Sequence, residues 1–176
     1  MTKGVQSNGV GVSLKHFAVN NQEINRRGVN AVLTPRALRE LYLRGFQIAV
    51  EEADPWTIMS SYNYINGVYA SQSRDLLRTI ARDEWGFRGA VMTDWGGGDN
   101  AAAQMWAGND LLMPGVYSQA EDIVKAVNEG TLAVEDLDFC VKNILNLIVR
   151  TPRFAGYEYS DKPDLKAHAE VTRESA

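Results

Sequence analysis

The sequence has little cysteine and no long apolar run. Cys140 is the only cysteine among 176 residues, so an internal disulfide and a zinc site built on cysteines are both excluded. Apolar runs such as residues 147–149 are far shorter than the roughly 20 residues that a membrane-spanning helix needs. We therefore expect no membrane partner.

The charge balance excludes a further class of function. Lysine and arginine number 18, aspartate and glutamate 22, and the net charge is −4. A dedicated nucleic-acid binder normally carries a basic face, so nucleic acid is not an expected partner. Hydrophobic residues make up 45% and charged residues 23%, as in ordinary folded domains. The composition predicts a soluble, folded, mildly acidic chain.

Short β-type runs alternate with longer amphipathic segments. The predicted strands cover residues 11–17, 56–62, 90–94 and 110–113. Helices are predicted after an N-cap at Thr34, after a capping box of Ser118 and Glu121, and over residues 134–150, while Asn66–Gly67 predicts a tight turn. Because the connections are too long for hairpins, the strands should pair in parallel through right-handed crossovers. This pattern indicates an α/β fold with about four parallel strands and crossover helices.

The chain is too short for a complete (β/α)8 barrel, which takes roughly 250 residues. It fits either a small open sheet or part of a barrel. In both architectures ligands bind at the carboxyl ends of the strands. Those ends carry a set of polar and aromatic side chains that should converge: Lys15, His16, Ser61, Tyr62, Asp94, Trp95, Asp110 and Met113.

These strand-end side chains have two interpretations. Cations, aromatic rings and carboxylates at one edge suit a sugar, whose hydroxyls take polar contacts and whose ring stacks on aromatic faces. Equally, an aspartate after a strand often caps a helix, and a single histidine is often a core residue. Gly96–Gly98 lacks a phosphate-binding pattern, so a nucleotide is not expected. The residues by themselves leave the sugar site and the structural roles both open.

A series of short motifs runs through nearly the whole chain. They are Lys15-His16-Phe17, Asn21-Gln22-Glu23, Asn25-Arg26, Met59 to Asn63, Asn66-Gly67, Glu84 to Phe87, Gly89, Val91, Thr93-Asp94-Trp95, Ala107 to Asp110 and Met113-Pro114-Gly115. In order and spacing they resemble glycoside hydrolase family 3, in particular its bacterial β-glucosidases. The resemblance implies a TIM-type (β/α)8 barrel followed by an α/β sandwich domain. Residues 1–152 would form the C-terminal half of the barrel, and residues 153–176 a linker and the start of a helix that leads to an absent sandwich domain.

The resemblance also implies roles for the strand-end residues. Asp94 matches the catalytic nucleophile. The other matching positions bind the hydroxyls of the terminal sugar or line its subsite: Lys15, His16, Arg26, Met59, Tyr62 and Trp95. Neither a metal nor an organic cofactor is implied. Cellular location stays open between cytoplasmic and secreted.

The implied reaction is retaining, exo-acting hydrolysis of a β-linked glucoside or a short oligosaccharide. One carboxylate attacks the anomeric carbon, and a protonated carboxyl roughly 5–5.5 Å away donates to the leaving oxygen. Asp94 would be the first, kept ionised by nearby cations. The family's second group is a glutamate on the sandwich domain, so we expect this chain by itself to be inactive.

Several alternatives stay open. The same mechanism could act on xylose or arabinose, as in a β-xylosidase. A non-catalytic, sugar-binding half-barrel would not need Asp94, and in an interaction module the strand-end residues would only cap helices. Because a half-barrel exposes two sheet edges and an apolar interior, the expected partners are the missing barrel half and sandwich domain, or a second copy of the chain.

One backbone feature can be predicted at the site. Adjacent strand residues point to opposite faces, yet Lys15 and His16 should both reach the sugar. We therefore expect irregular backbone there, such as a non-proline cis peptide bond.

Overall fold

The structure is a computed structural model that describes all 176 residues. Its strands are β1 (Ser13–Phe17), β2 (Asn30–Ala31), β3 (Thr57–Ser60), β4 (Tyr64–Ile65), β5 (Val68–Tyr69) and β6 (Ala90–Thr93). Its α-helices are α1 (Thr2–Gln6), α2 (Pro35–Ala37), α3 (Arg44–Ala53), α4 (Ala101–Ala107), α5 (Tyr117–Asn128), α6 (Val134–Arg150) and α7 (Leu165–Ser175). Leu38–Tyr42 and Asp75–Glu84 are π-helical, and Ala70–Gln72 is a 3₁₀ turn.

The central sheet is parallel, in the order β1-β3-β6. The predicted fourth strand is present only as a single parallel bridge between Leu111 and Met92. It is short because a side chain replaces part of the ladder: the Val91 N–H donates to the Asp110 carboxylate (2.6 Å). Parallel strands with helical crossovers confirm the predicted α/β class.

A second, smaller sheet lies beyond the carboxyl ends of β1 and β3. In it β2 pairs with β4 in parallel, and β4 pairs with β5 as a hairpin. The hairpin turns at Asn66 and Gly67, whose φ angles are 49° and 91°. Positive φ at both positions is the reason Asn-Gly favours such turns, so the predicted turn is confirmed.

Two helix predictions need correction. Thr34 caps its helix, with its hydroxyl accepting from the Ala37 N–H, but a π-helical turn separates α2 from α3. The wider turn leaves Leu43, which is fully buried, facing the core between the two segments. The predicted capping box of Ser118 and Glu121 is wrong. The helix α5 begins at Tyr117, and the Gln119 side chain accepts from the backbone N–H of Val116, the residue before the helix.

The apolar core lies on one face of the central sheet. A larger cluster packs β1, β3 and β6 against α3 and the π-helix Asp75–Glu84, with Phe17, Leu43 and Leu77 at its centre. A smaller cluster joins α4, α5 and α6. On the opposite face of the sheet, Met59 and Met92 pair in register and stay partly exposed. The uncovered face is the one that a complete barrel encloses.

The C-terminal segment differs from the rest of the chain. Residues 152–164 contain no helix or strand, and every residue of α7 is exposed. No helix in the chain combines the length and apolarity needed to cross a bilayer.

Candidate active site

Asp94 follows β6 directly and opens the turn that contains Gly96–Gly98. Its backbone N–H donates to the Ser60 carbonyl (3.1 Å), and its Oδ1 accepts from the Trp95 N–H (2.8 Å). The side chain is 17% exposed, and the carboxylate caps no helix. Asp94 therefore keeps one carboxylate oxygen, Oδ2, at the open carboxyl end of the sheet.

His16 faces this second oxygen, with its Nε2 3.4 Å from Asp94 Oδ2. Between the pairs Leu14↔Ile58 and Phe17↔Ser60 the ladder register shifts, so two residues of β1 stand opposite the single residue Met59. Two residues opposite one is the arrangement that defines a β-bulge, and a bulge changes the direction in which side chains point. The Lys15–His16 peptide bond is cis, which confirms the predicted irregular backbone.

Tyr62 lies under the turn that carries Asp94. Its side chain is buried, and its hydroxyl donates to the Trp95 carbonyl (2.8 Å). Trp95 itself is 59% exposed, so its indole stands at the rim. The two aromatic residues thus form a buried support and an exposed wall beside Asp94.

Arg26 approaches from the loop between β1 and β2. Its guanidinium carbon lies 4.8 Å from the centre of the Tyr62 ring, and its Nη1 donates to Glu23 Oε2 (2.7 Å). The hydrogen bond with Glu23 raises the pKa of Arg26, and the nearby Tyr62 and Asp94 act in the same direction. Arg26 therefore stays cationic near the Asp94 carboxylate.

The remaining strand-end residues divide into two groups. Lys15 is exposed with no carboxylate within 4.0 Å, and Met59 is partly exposed on the open face of the sheet. Ser61 does not face the site: it is buried and donates to the Ala18 carbonyl (2.8 Å). Asp110 is also buried, in an ion pair with Arg82 (2.6 Å), so the prediction that it belongs to the site is wrong.

With this geometry in view, the chain can be compared with known proteins. The sequence model of the glycosyl hydrolase family 3 N-terminal domain matches residues 1–147. This chain belongs to glycosyl hydrolase family 3. In fold it is part of the family's (β/α)8 barrel.

Relatives within family 3 include glucosidases and an arabinopyranosidase. The structure of β-glucosidase 3B from Thermotoga neapolitana in complex with glucose superposes with a TM-score of 0.93 at 52% identity, over 98% of this chain and 25% of that one. An exo-α-(1→6)-L-arabinopyranosidase from Bifidobacterium breve is 46% identical over all 176 residues, which are 23% of its length. A β-glucosidase from Rhizobium radiobacter is 42% identical over 167 residues, 20% of its length. The chain thus spans between a fifth and a quarter of the length of these family 3 relatives.

Two further residues near Asp94 were not predicted from the sequence. Arg27 donates to the Trp95 carbonyl (3.1 Å), and the buried Gln104 donates to the Gly97 carbonyl (2.7 Å). Both hold the backbone of the turn that follows Asp94. No sequence signal marks them, because a bond to a backbone carbonyl demands no particular spacing.

The largest cavity lies elsewhere. It has a volume of about 790 Å³ and is lined by Gly11, Trp56, Tyr157 and neighbouring residues near the amino ends of β1 and β3. Chemistry in barrels of this kind sits at the opposite, carboxyl ends, so we assign the site by the Asp94 geometry. No group of three or more His, Cys, Asp or Glu side chains is placed to hold a metal ion.

Proposed function

We propose that this chain supplies the nucleophile and about half of the terminal-sugar subsite of a retaining β-glucosidase. The observation that carries the proposal is the Asp94 carboxylate: it stands at the carboxyl end of β6 with one oxygen held by its own turn and the other facing His16 at 3.4 Å. A nucleophile needs such a fixed but accessible oxygen.

In the first step Asp94 Oδ2 forms a bond to the anomeric carbon as the bond to the leaving oxygen breaks. A protonated carboxyl must donate to that oxygen. In the second step water attacks the glycosyl ester, gives its proton to the same carboxyl group, and releases Asp94. Arg26, whose pKa is raised by its hydrogen bond with Glu23 and further by the nearby Asp94, would keep a positive charge beside this carboxylate throughout the cycle.

The chemistry of each other side chain around Asp94 determines which contact it would make with the sugar. Lys15, His16 and Arg26 would donate to the ring hydroxyls, and Met59 and Trp95 would line the ring. The buried Tyr62 would support the turn beside the nucleophile. A few polar groups on a mostly apolar wall are the usual composition of a small-molecule site.

The acid/base carboxyl would come from outside these residues. Glu23 lies in the same loop as Arg26 and is already bonded to the Arg26 guanidinium (2.7 Å). We propose that residues 1–152 act as the C-terminal half of a barrel and residues 153–176 as the connection to a sandwich domain. The partners would then be the complementary barrel half and that domain, with self-association as the alternative.

An L-arabinopyranoside is a second candidate substrate. The relative from Bifidobacterium breve that is named for this activity is 46% identical over the full chain. The mechanism would be unchanged, and the sugar would differ in its C4 configuration and in lacking the C5 hydroxymethyl group. A β-xyloside also lacks that group. A non-catalytic sugar-binding role would keep binding but dispense with Asp94.

The test uses a graft: residues 1–176 replace the matching segment of the Thermotoga neapolitana β-glucosidase 3B. We expect the graft to hydrolyse aryl β-glucosides and, in parallel assays, to act less well on aryl α-L-arabinopyranosides and β-xylosides. Asp94→Asn should abolish turnover. Asp99→Asn is the matched control, because Asp99 is exposed and its bond from Gln72 (2.7 Å) survives the change to an amide.

Two outcomes would contradict the proposal. One is a folded graft that hydrolyses none of these glycosides with Asp94 intact. The other is an active graft in which Asp94→Asn and Asp99→Asn behave alike. If the single-chain graft does not fold, the same comparison is made with residues 1–176 co-expressed beside the remaining segments of the Thermotoga enzyme.

A further inference from the structure

Arg27 lies beside Arg26 in the loop between β1 and β2, but its surroundings differ. Arg26 is paired with Glu23, whereas no carboxylate lies within 4.0 Å of Arg27. Its side chain is exposed and reaches from this loop to the turn that carries Asp94. An exposed guanidinium that has no ion pair and spans two loops calls for an explanation other than core packing.

The contacts of Arg27 meet at one peptide group. Its Nη2 donates to the Trp95 carbonyl (3.1 Å), the same oxygen that accepts from the Tyr62 hydroxyl (2.8 Å). The guanidinium carbon also lies 5.0 Å from the centre of the Tyr62 ring, within cation–π range. Arg27 and Tyr62 therefore hold the Trp95 carbonyl from two sides.

Trp95 is also held at its other end. Its N–H donates to Asp94 Oδ1 (2.8 Å), so bonds on both sides fix the backbone of this residue. Because Trp95 is 59% exposed, core packing does little to orient its indole. The bonds to the Trp95 carbonyl and from the Trp95 N–H fix the backbone from which the indole projects.

We propose that Arg27 is a positioning residue for the terminal-sugar subsite. It ties the loop that carries Arg26 to the turn that carries Asp94, and so fixes both Arg26 and the Trp95 indole against the sugar. This inference rests on the proposed function, since it assumes that a sugar ring occupies this place. Arg27 acts through Trp95 and Arg26 and contacts no reacting atom.

The proposal predicts a particular kinetic effect. Asp94 keeps its backbone bond to the Ser60 carbonyl and its place beside His16 when Arg27 is removed, so the chemical step should change little. Contacts to the sugar that Arg27 supports act in the ground state and the transition state alike, and their loss raises KM. Lysine cannot offer the planar fork that reaches the carbonyl while stacking on a ring, so it should only partly substitute.

The experiment measures kcat and KM of the graft for an aryl β-glucoside, together with glucose affinity by calorimetry. For Arg27→Met we expect KM and the glucose dissociation constant to rise about five- to tenfold, with kcat within about threefold of the parent. Arg27→Lys should give an intermediate KM. Arg36→Met is the control: Arg36 is 83% exposed and pairs only with Glu40, and its removal should leave all three quantities unchanged.

A double-mutant cycle with Tyr62→Phe adds a readout that general loosening would not give. Since Arg27 and Tyr62 share one acceptor, their effects on KM should be non-additive. Unchanged KM and glucose affinity in Arg27→Met, or full additivity with Tyr62→Phe, would overturn the inference. Failure of the proposed function would give a different result: turnover that persists in Asp94→Asn, or no turnover in the parent graft. In either case the measured glucose affinities still test the role of Arg27.

Discussion

Asp94 and Asp110 are two carboxylates beside neighbouring strand positions of one sheet, and their surroundings are opposite. Asp94 directly follows β6, whereas Asp110 precedes the bridged residue Leu111. Asp94 keeps 17% of its side chain exposed, and the His16 imidazole lies 3.4 Å from its Oδ2. The side chain of Asp110 is fully buried and bonded to Arg82, Asn143 and the Val91 N–H. The Asp94 carboxylate has an oxygen available to a substrate, whereas the oxygens of Asp110 already accept hydrogen bonds from the protein.

The Asp110 bonds explain how the second carboxylate serves the fold. They join β6, the π-helix Asp75–Glu84 and α6, because Arg82 and Asn143 belong to those two helices. Burial raises the pKa of the Asp110 carboxyl, while the charge of Arg82 and the bonds from Asn143 and Val91 oppose that rise. Asp94 lies at the carboxyl end of β6, while Asp110 lies before Leu111 and bonds to Val91 near the start of β6; its satisfied bonds make Asp110 structural.

The largest expected contrast is in activity. In the graft, Asp94→Asn should lower kcat/KM by about 10⁴-fold or more, since the amide cannot act as the nucleophile. The free energy of unfolding should change by less than about 0.5 kcal/mol, because no buried bond is lost. Steady-state kinetics of the variant measures kcat/KM, and urea denaturation measures its free energy of unfolding. A large loss of stability would make Asp94 structural, like Asp110.

The reverse contrast is in stability. Asp110→Ala leaves the Arg82 guanidinium, which is 8% exposed, without a countercharge. Breaking a buried ion pair in this way costs about 3–5 kcal/mol of unfolding free energy. Urea denaturation of the chain and its variant measures the difference. A cost below about 1 kcal/mol would show that the pair does not fasten the two helices to the sheet.

Cys140 reports on the same buried region. Burial, followed by the charge of Asp110, raises the pKa of the Cys140 thiol to about 12, so the thiol is neutral at pH 8 and reacts slowly. Asp110→Asn removes the charge and loosens α6, and we expect labelling by a thiol reagent to become roughly tenfold faster. Equal labelling rates in the native and the urea-denatured parent chain would contradict the buried placement of Cys140.

The smallest effect belongs to an exposed pair. Arg39 and Glu84 are bonded at the surface, where a pair contributes only about 0.2–1 kcal/mol. The hydrogen bond from Arg39 lowers the pKa of Glu84, so this contribution is present above the ordinary value of 4.5 and is lost as pH falls through the lowered value. Arg39→Met should therefore cost stability at pH 7 and nothing in strong acid. A cost that persists in acid would contradict this account.

Much of the fold follows from local sequence signals. The helix over 134–150 and the Asn66–Gly67 turn were predictable because hydrophobic periodicity and turn chemistry act within a few residues. The π-helical turn Leu38–Tyr42 and the single-residue fourth strand were not. Both depend on partners distant in the chain: the buried environment of Leu43 in one case, and the bond between Val91 and the Asp110 carboxylate in the other.

The candidate site shows the same division. The place of Asp94 at a strand end could be predicted from alternation and topology, and its proposed role came from the family resemblance. That Asp110 is buried could not be predicted, because the sequence does not show that Arg82 and Asn143 face it from two helices. Arg27 was invisible for a related reason: its partner is a backbone carbonyl, which every residue has.

The most direct test of the account is to trap the covalent intermediate in the graft. A 2-fluoro glucoside with a good leaving group slows the second step, because fluorine destabilises the oxocarbenium-like transition state, and the ester accumulates. Mass spectrometry of the digested protein should then find one sugar on the peptide that contains Asp94. Trapping on any other carboxylate, or an active graft that forms no adduct, would contradict the assignment of Asp94 as the nucleophile.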